Sequence, residues 1–176
     1  MYNDMKDVTL LTSQEFVRNA VGISDNVAAG YMLPAIMEAQ DVRLRSILGS
    51  ALLRRLVEMV KDKTIKNAGN EAYKDLVDRC QWVLAYQAAV ELIARVSYKI
   101  GNFGVMRSHD ERAESATFDE IILRKSDLQS KADYHVHLLH CWLLDNRQAF
   151  AELDECQCRC LSSNSRNSAT CGIFLG

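Results

Sequence analysis

The feature that most constrains the fold is the stretch at residues 71–100, whose central part is apolar except for one thin polar stripe. Between residues 82 and 96 the strongly polar residues are Gln87, Glu91 and Arg95, each four positions after the last. Residues four apart lie on one side of an α-helix, so apolar side chains cover almost all of the remaining circumference. The pattern predicts a helix at the centre of a bundle or in an oligomer interface, with Glu91 and Arg95 able to pair. The same charges argue against a membrane span.

Two helices are predicted in the N-terminal part of the chain. Thr12 and Glu15 have the spacing of a capping box, which predicts a short helix at residues 13–20. Apolar residues at spacings of three and four then predict a second helix at residues 26–48. Pro34 lies inside that range, so it either opens the helix or kinks it.

Three further boundaries follow from glycines and a second capping box. Gly49 is expected to stop the second helix, and the sequence SALLRRLVEMVKDK predicts a third helix. Two glycines and the lack of a helical period predict a projecting loop at residues 101–116, with a short extended piece at residues 103–107. Thr117 and Glu120 then cap a helix of about eight turns that runs to Phe150. Its inward-facing stripe is predicted to be Ile121, Ile122, Leu128, Ala132, Val136, Leu139 and Leu143.

Composition supports the same fold class. The chain has 176 residues and one proline, and 48% of its residues are apolar, so it can bury a core and few residues interrupt helices. We predict an all-α helical bundle domain at residues 1–152 with a long C-terminal helix, followed by an extended interaction tail at residues 153–176. The net charge of −2 disfavours tight nucleic-acid binding by the surface as a whole.

The six cysteines are expected to be reduced thiols. The N-terminus lacks the basic segment followed by an apolar segment that marks a secretory signal, and disulfides are rare in the cytosol. Cys80 and Cys141 stand among apolar residues and are expected to pack in a core. The other four lie within the last 21 residues, three of them as Cys156, Cys158 and Cys160.

A metal site is one interpretation of the last helix. His137, His140 and Cys141 can share one helical face with Asp133, whereas His135 points towards the apolar stripe. The tail could lend thiolates to complete a tetrahedral zinc site. Its cysteines, however, have C-x-C spacing and not the C-x2-C pairs that zinc modules normally offer. We therefore expect ordinary surface, interface or packing roles for these side chains, and no metal or cofactor.

No catalytic site is predicted, and we expect a protein that is not an enzyme. The sequence contains no nucleophile elbow, P-loop, zinc-protease or dinucleotide-binding motif. His140 and Cys141 are adjacent, so on a helix they point about 100 degrees apart and cannot meet as base and nucleophile. The acidic residues near Asp110 are expected to be solvated surface charge.

A series of motifs in a fixed order resembles one protein family. The motifs are LTSQEF, ISDN, PAIMEAQDVRLRSILGSALLRRLVEMV, AYKDLVD and KIGNFGVMRS, followed by the long last helix. They resemble the head-to-tail connector proteins of tailed bacteriophages, most closely the helical adaptor or ring proteins of phages of gut Bacteroidetes, including the crAss-like group. The resemblance covers residues 8–150, and the cysteines at 156–160 depart from the family pattern. Its most specific residues are Ala39, Gln40, Asp41, Ile47, Leu48, Gly49, Asn102, Gly104 and Val105.

The resemblance implies a structural virion protein at the head-tail junction. It implies a dodecameric ring between the portal protein and the tail, which extends and seals the channel through which the genomic DNA passes. The implied partners are the portal, further connector or tail ring proteins, and no membrane. The protein would reside in the virion, and in the host cytoplasm during assembly. Subunit or portal contacts are expected at Asn102, Phe103, Gly104, Val105, Ile173, Phe174 and Leu175.

Two other functions are compatible with the sequence. The first is a small helical metal- or redox-responsive binding protein that uses His137, His140, Cys141 and the tail cysteines, and metal analysis of the purified protein distinguishes it from a ring subunit. The second is a helical regulator that binds DNA or protein. It would need the arginines between residues 43 and 55 to act together across the break at Gly49, and surface charge is the simpler interpretation of them.

Overall fold

The structure is a computed structural model, and it describes residues 8–24, 27, 29–101, 104–107 and 117–153. These residues form an all-α helical bundle, as predicted, with one short β-hairpin added to it. A π-helix at Ala39–Leu44 joins the second and third helices, and 3-10 helices lie at Thr64–Lys66 and Arg147–Ala149. The main elements are α1 (Gln14–Val21), α2 (Ala29–Glu38), α3 (Arg45–Lys61), α4 (Glu71–Ser97), β1 (Tyr98–Gly101), β2 (Gly104–Arg107) and α5 (Phe118–Asp145).

Helix α4 is the centre of the bundle, as its thin polar stripe predicts. It packs against α1, α2, the π-helix and α5. Full burial of a Leu or Val side chain stabilises a fold by about 1.5–3 kcal/mol relative to its exposure, so this one helix accounts for much of the core. Its buried apolar residues are Leu76, Val77, Cys80, Val83, Leu84, Ala85, Ala88, Ala89, Val90 and Leu92.

Two details of the α4 prediction are wrong. The helix ends at Ser97 and not at Ile100, because residues 98–101 pair with residues 104–107 in an antiparallel hairpin. The expected pair between Glu91 and Arg95 is replaced by other contacts. Gln87 Nε2 donates to Glu91 Oε1 at 3.1 Å, and Arg95 pairs with Glu38 on α2, because α2 packs against α4 and brings that carboxylate to the guanidinium.

Helix α1 begins one residue later than its predicted capping box. Ser13, and not Thr12, is the N-cap, and its hydroxyl accepts a hydrogen bond from the backbone N–H of Phe16 at 3.0 Å. Gly22 ends the helix in the left-handed region, at φ 72°, which glycine adopts without steric cost. The short helix itself is confirmed.

The connection from α2 to α3 is less regular than one long helix. Helix α2 begins before Pro34, so the proline lies inside the helix and does not open it. The π-helix follows, and the chain then breaks at Gly49, whose φ of 76° and ψ of 164° lie outside every helical region. Gly49 therefore marks a break, as predicted. Helical residues lie on both sides of it within α3.

The π-helix holds the N-terminal segment against the bundle through one buried side chain. Gln40 is 7% exposed, and its Oε1 accepts a hydrogen bond from the backbone N–H of Leu11 at 2.8 Å. Its Nε2 donates to the backbone carbonyl of Thr9 at 3.1 Å, and Gln81 Nε2 on α4 donates to the carbonyl of Leu11 at 3.2 Å. Two glutamine side chains thus satisfy the backbone of a segment that belongs to no helix or strand.

Helix α5 has the predicted capping box but a different end. Thr117 accepts from the backbone N–H of Glu120, and the Glu120 carboxylate accepts from the backbone N–H of Thr117 at 2.7 Å. The helix ends at Asp145 and not at Phe150, because a 3-10 turn follows and directs Phe150 into the core. Ile122 is 49% exposed, so the prediction that it belongs to the buried stripe is wrong.

The predicted loop at residues 101–116 is partly a β-hairpin. Strand β1 pairs with β2 in the register that places Ile100 opposite Val105 and Gly101 opposite Gly104. Residues 102, 103 and 108–116 lie outside the described residues. Within the described part of the chain, none of the helices is both long and apolar enough to cross a membrane.

Candidate functional site

The first candidate site is an apolar surface where the end of α4 meets the start of α5. Phe118 is 55% exposed, Ile122 49%, Leu123 72% and Val96 40%. Phe118 and Ile122 are four positions apart and so share one side of α5, whereas Leu123 projects from a different side of the helix, about 100 degrees round from Ile122. We call these four residues the end surface. Large apolar side chains grouped on a surface commonly mark a contact with another macromolecule, since each exposed one forgoes the stabilisation of burial.

A groove of ≈ 300 Å³ opens beside the end surface. Leu123 and Asp127 border a second hollow, and Glu120 and Arg124 line both, so the two concave regions are adjacent. The groove thus has an apolar wall and a charged edge. Its lining residues are Val27, Leu92, Ile93, Val96, Ile121, Glu120 and Arg124.

Charged side chains on α5 pair with each other at this edge. Arg124 and Lys131 both pair with Asp127, at 3.1 and 2.8 Å. The hydrogen bond from Lys131 is the main reason that the pKa of Asp127 lies below its ordinary value. The pKa of Glu120 is also lowered, because its carboxylate accepts hydrogen bonds from the backbone N–H and the hydroxyl of Thr117. Both carboxylates are therefore ionised at neutral pH, and both are paired with residues of α5 or its N-cap.

The second candidate site is the histidine and cysteine group near the end of α5. His137 Nε2 lies 3.7 Å from Cys141 Sγ, so these two predicted metal candidates do come together. Asp133 does not join them, because its carboxylate accepts from Arg43 of the π-helix at 2.6 Å and from Gln129 at 3.1 Å. Among the described side chains, no three His, Cys, Asp or Glu groups converge in a way that could hold an ion.

The other two histidines of α5 are part of the packing. His140 is 9% exposed, and its pKa is lowered by burial first, then by the charges of Arg43 and His137. His135 stacks on the rings of Trp82 and Tyr86, at centroid distances of 5.6 and 5.1 Å. Burial lowers the pKa of His135 as well. The prediction that His135 turns towards the apolar side of the helix is confirmed.

The predicted contact residues fall into two groups. Gly104 and Val105 are in strand β2, within the hairpin that follows α4. Asn102 and Phe103, at its turn, lie outside the described residues, as do the tail residues Ile173, Phe174 and Leu175. Their expected roles stay predictions.

Sequence reasoning missed the end surface. The spacing predicts that Ile122 belongs to the inner stripe, and it does not distinguish Phe118 and Leu123 from other surface residues. A usable signal was present, since Ile121, Ile122 and Leu123 are consecutive and three successive helical residues cannot all face one side. At least one of them had to be exposed.

Comparison with known proteins gives one match. No curated protein and no solved structure matches the chain. One family model, described as a family of unknown function (DUF6712), matches residues 44–162, from the end of the π-helix through α5 and into the tail. That range is about two thirds of the 176 residues and includes the core helix α4. The chain therefore belongs to the family of unknown function DUF6712.

Proposed function

We propose that this protein is a structural subunit of the head-to-tail connector of a tailed bacteriophage. It would form a dodecameric ring between portal and tail, extend the DNA channel and seal the junction, without catalysing a reaction. Its partners would be copies of itself, the portal protein and further connector or tail rings. The ordered motifs that resemble phage adaptor or ring proteins support this identity.

The observation that carries the proposal is the end surface. The described residues include 29 buried apolar ones and so form a full core, and the exposure of Phe118, Ile122 and Leu123 is therefore not a consequence of a core too small to cover them. A ring subunit needs a face of this kind because neighbouring copies must bury apolar area against each other. We infer that the end surface and the adjacent groove pack against a neighbouring subunit.

The charges around the end surface fit a contact between copies better than a contact with DNA. Arg124 and Lys131 are paired with Asp127, which reduces the positive charge available to phosphates. The whole chain carries a net charge of −2. A conduit for DNA benefits from such a wall, since strong phosphate binding would hold the DNA in place.

The test is the mass of the assembled particle. We expect native mass spectrometry and negative-stain imaging of the purified protein, alone or with the portal protein encoded in the same genome, to show rings near the mass of a dodecamer. Leu123→Asp should shift the particles to monomers, because the variant places a charge in the buried contact, where an unpaired charge costs several kcal/mol. Its circular dichroism should stay unchanged, since Leu123 is 72% exposed in the single chain.

The matched control is Ser130→Asp. Ser130 is exposed on the same side of α5, two turns further along, and its substitution adds the same charge outside the end surface. We expect it to assemble like the unmodified protein. A protein that stays monomeric alone and with portal, or rings that tolerate Leu123→Asp as well as Ser130→Asp, would contradict the proposal.

A further inference from the structure

A cavity of ≈ 420 Å³ lies between the N-terminal segment and the first half of α4. Its walls come from residues 10–13, α1, the end of α3, the 3-10 helix at Thr64–Lys66 and α4. The volume falls within the range of about 300–1,000 Å³ that small-molecule sites have in proteins. The cavity shares no residue with either candidate site described above.

The cavity is largely formed before any ligand arrives. Two glutamines bind the backbone of Leu11 in its wall: Gln40 Oε1 accepts from the N–H at 2.8 Å, and Gln81 Nε2 donates to the carbonyl at 3.2 Å. The 3-10 helix is fixed as well, since Asn70 Nδ2 donates to the carbonyl of Thr64 at 2.9 Å. Little of the protein has to be ordered on binding, which lowers the entropic cost.

Thr12 gives the cavity a buried polar group without a partner. Thr12 lines the cavity and is 6% exposed, and its hydroxyl has no hydrogen-bond partner among the described residues. The sequence predicts that this residue caps α1, but Ser13 has that role. A buried hydroxyl without a partner is uncommon and costs stability, so a ligand that pairs with it would gain affinity.

Two lysines supply positive charge to the same cavity. Lys66 and Lys74 line it and are exposed, and neither forms an ion pair with a carboxylate in the described part of the chain. Asp78 also lines the cavity, one turn after Lys74. Two lysines and one aspartate sum to a charge of +1, whereas the whole chain carries −2. The cavity is therefore locally positive and attracts anions.

The remainder of the lining is mainly apolar. Leu10, Phe16, Val60, Ile65 and Val77 all line the cavity. Such a surface holds water poorly, because an ordered water needs two to four polar partners. An apolar group in the cavity would remove this surface from water, which is favourable. The lining thus favours a ligand with an apolar body and one charged end.

We propose that this cavity binds a small amphipathic anion. Its apolar body would lie against Phe16 and Val77, and its carboxylate or phosphate head would be held by the charge of Lys66 and Lys74 and by a hydrogen bond from the hydroxyl of Thr12. Lysines bind anions as flexible point charges, so both kinds of head are compatible with the site. Binding would fasten the N-terminal segment to α3 and α4.

This site is independent of the proposed ring function. Val77, in the cavity, and Val96, in the end surface, lie about 28 Å apart along α4. A ligand in the cavity therefore leaves the end surface free for a neighbouring subunit.

The experiment is isothermal titration calorimetry of the full-length protein with four probes that share an octyl chain: octanoate, octyl phosphate, 1-octanol and octylammonium. We expect one site per chain that binds the anions more tightly than the alcohol or the ammonium. Comparison of octanoate with octyl phosphate shows which head is preferred. Salt should weaken the binding of the anions but not of 1-octanol.

Thr12→Val keeps the shape of the side chain and removes the hydroxyl. It should weaken octanoate about 10–100-fold, the effect of losing a hydrogen bond to a charged group. Thr12→Ser retains the hydroxyl and should bind like the unmodified protein. A purely structural role of Thr12 would change the melting temperature of the free protein and leave the affinity for octanoate unchanged.

The lysines are tested against a matched control. Lys66→Gln and Lys74→Gln should each weaken both anions about 2–5-fold, as expected for exposed charges, and leave the binding of 1-octanol unchanged. Lys61→Gln removes the same charge from an exposed position at the end of α3, outside the cavity lining, and should bind all probes like the unmodified protein.

Three results would overturn the proposal. The first is the absence of saturable binding of both anions, which would mean that the cavity holds water only. The second is equal affinity for octanoate, 1-octanol and octylammonium, which would mean that the site does not recognise charge. The third is unchanged octanoate binding in Thr12→Val and in both lysine variants, which would place the ligand elsewhere. Ring formation is measured by particle mass without any probe, so either proposal can fail without the other.

Discussion

Gly49 provides the sharpest test of the fold, because two physical arguments predict opposite signs for its substitution. Gly49 lies inside the range of α3, and alanine in place of glycine within a regular helix stabilises it by about 1 kcal/mol. The backbone at Gly49, however, has φ 76° and ψ 164°. Residues with a β-carbon are almost excluded from that region, and forcing one there costs about 1–3 kcal/mol.

We therefore expect Gly49→Ala to destabilise the protein. Alanine restricts the unfolded chain, which offsets about 0.4–1 kcal/mol of the strain, so the net loss should be about 1–2 kcal/mol. For a chain of this size each kcal/mol lowers the melting temperature by about 2–4 °C, so the melting temperature should fall by about 2–8 °C. Urea unfolding followed by circular dichroism measures the same change as a lower midpoint at an unchanged slope.

Gly30→Ala is the matched control. Gly30 lies in the first turn of α2, and an added β-carbon there meets no atom within 4 Å. Its φ is not positive, so alanine should stabilise the protein by up to about 1 kcal/mol. If Gly49→Ala instead stabilises the protein as Gly30→Ala does, α3 is a continuous helix and the reasoning from its backbone angles is refuted.

Three further predictions concern single side chains. Of the two cysteines in the described residues, Cys141 should react with iodoacetamide in the native protein. Cys80 is fully buried, and burial raises the pKa of its thiol, so it should react only on unfolding. Peptide mass mapping would show the difference. Because burial lowers the pKa of His135, the unfolded chain takes up a proton first as the pH falls below about 6.5, and stability should decline there. His135→Phe, which keeps an aromatic ring in the stack, should reduce that decline between pH 7.5 and 5 in thermal melts, and an identical pH profile would argue against the assignment. Thr117→Ala should cost about 0.5–2 kcal/mol in urea unfolding at pH 7, since it removes the N-cap of α5, and Thr117→Ser should recover most of the loss.

The sequence was sufficient for the parts of the fold that depend on local periodicity. The polar stripe of α4 identified the central helix, and the Thr117 capping box placed the start of α5 at the correct residue. Both signals act within one helix, so no knowledge of neighbouring elements was needed. The all-α fold class follows directly from these two signals.

Features that depend on neighbours could not be predicted in the same way. The partner of Arg95 is Glu38, 57 residues earlier, and only the packing of α2 on α4 brings the two together. The π-helix and the contacts of Gln40 to residues 9 and 11 likewise depend on where the N-terminal segment lies. The motif around Gln40 and Gly49 contributed to the family resemblance, yet its observed role in the fold is to shape the connection from α2 to α3.

The candidate sites show the same division. Spacing alone placed His137 and Cys141 on one face of a helix, and the structure confirms their approach. Spacing also grouped Asp133 and His140 with them, but Arg43 binds the first and the core buries the second. The end surface was missed because exposure of Leu123 depends on where the bundle stops, which periodicity within α5 does not reveal.

The central place of α4 also determines which parts of the protein unfold locally in solution. Because α4 packs on α1, α2, the π-helix and α5, its middle amides can reach solvent only when several of these contacts separate together. We expect the amide hydrogens near Leu84 to exchange with deuterium at the rate of complete unfolding. Those of α1, a helix of 8 residues at the edge of the bundle, should exchange through smaller and more frequent openings.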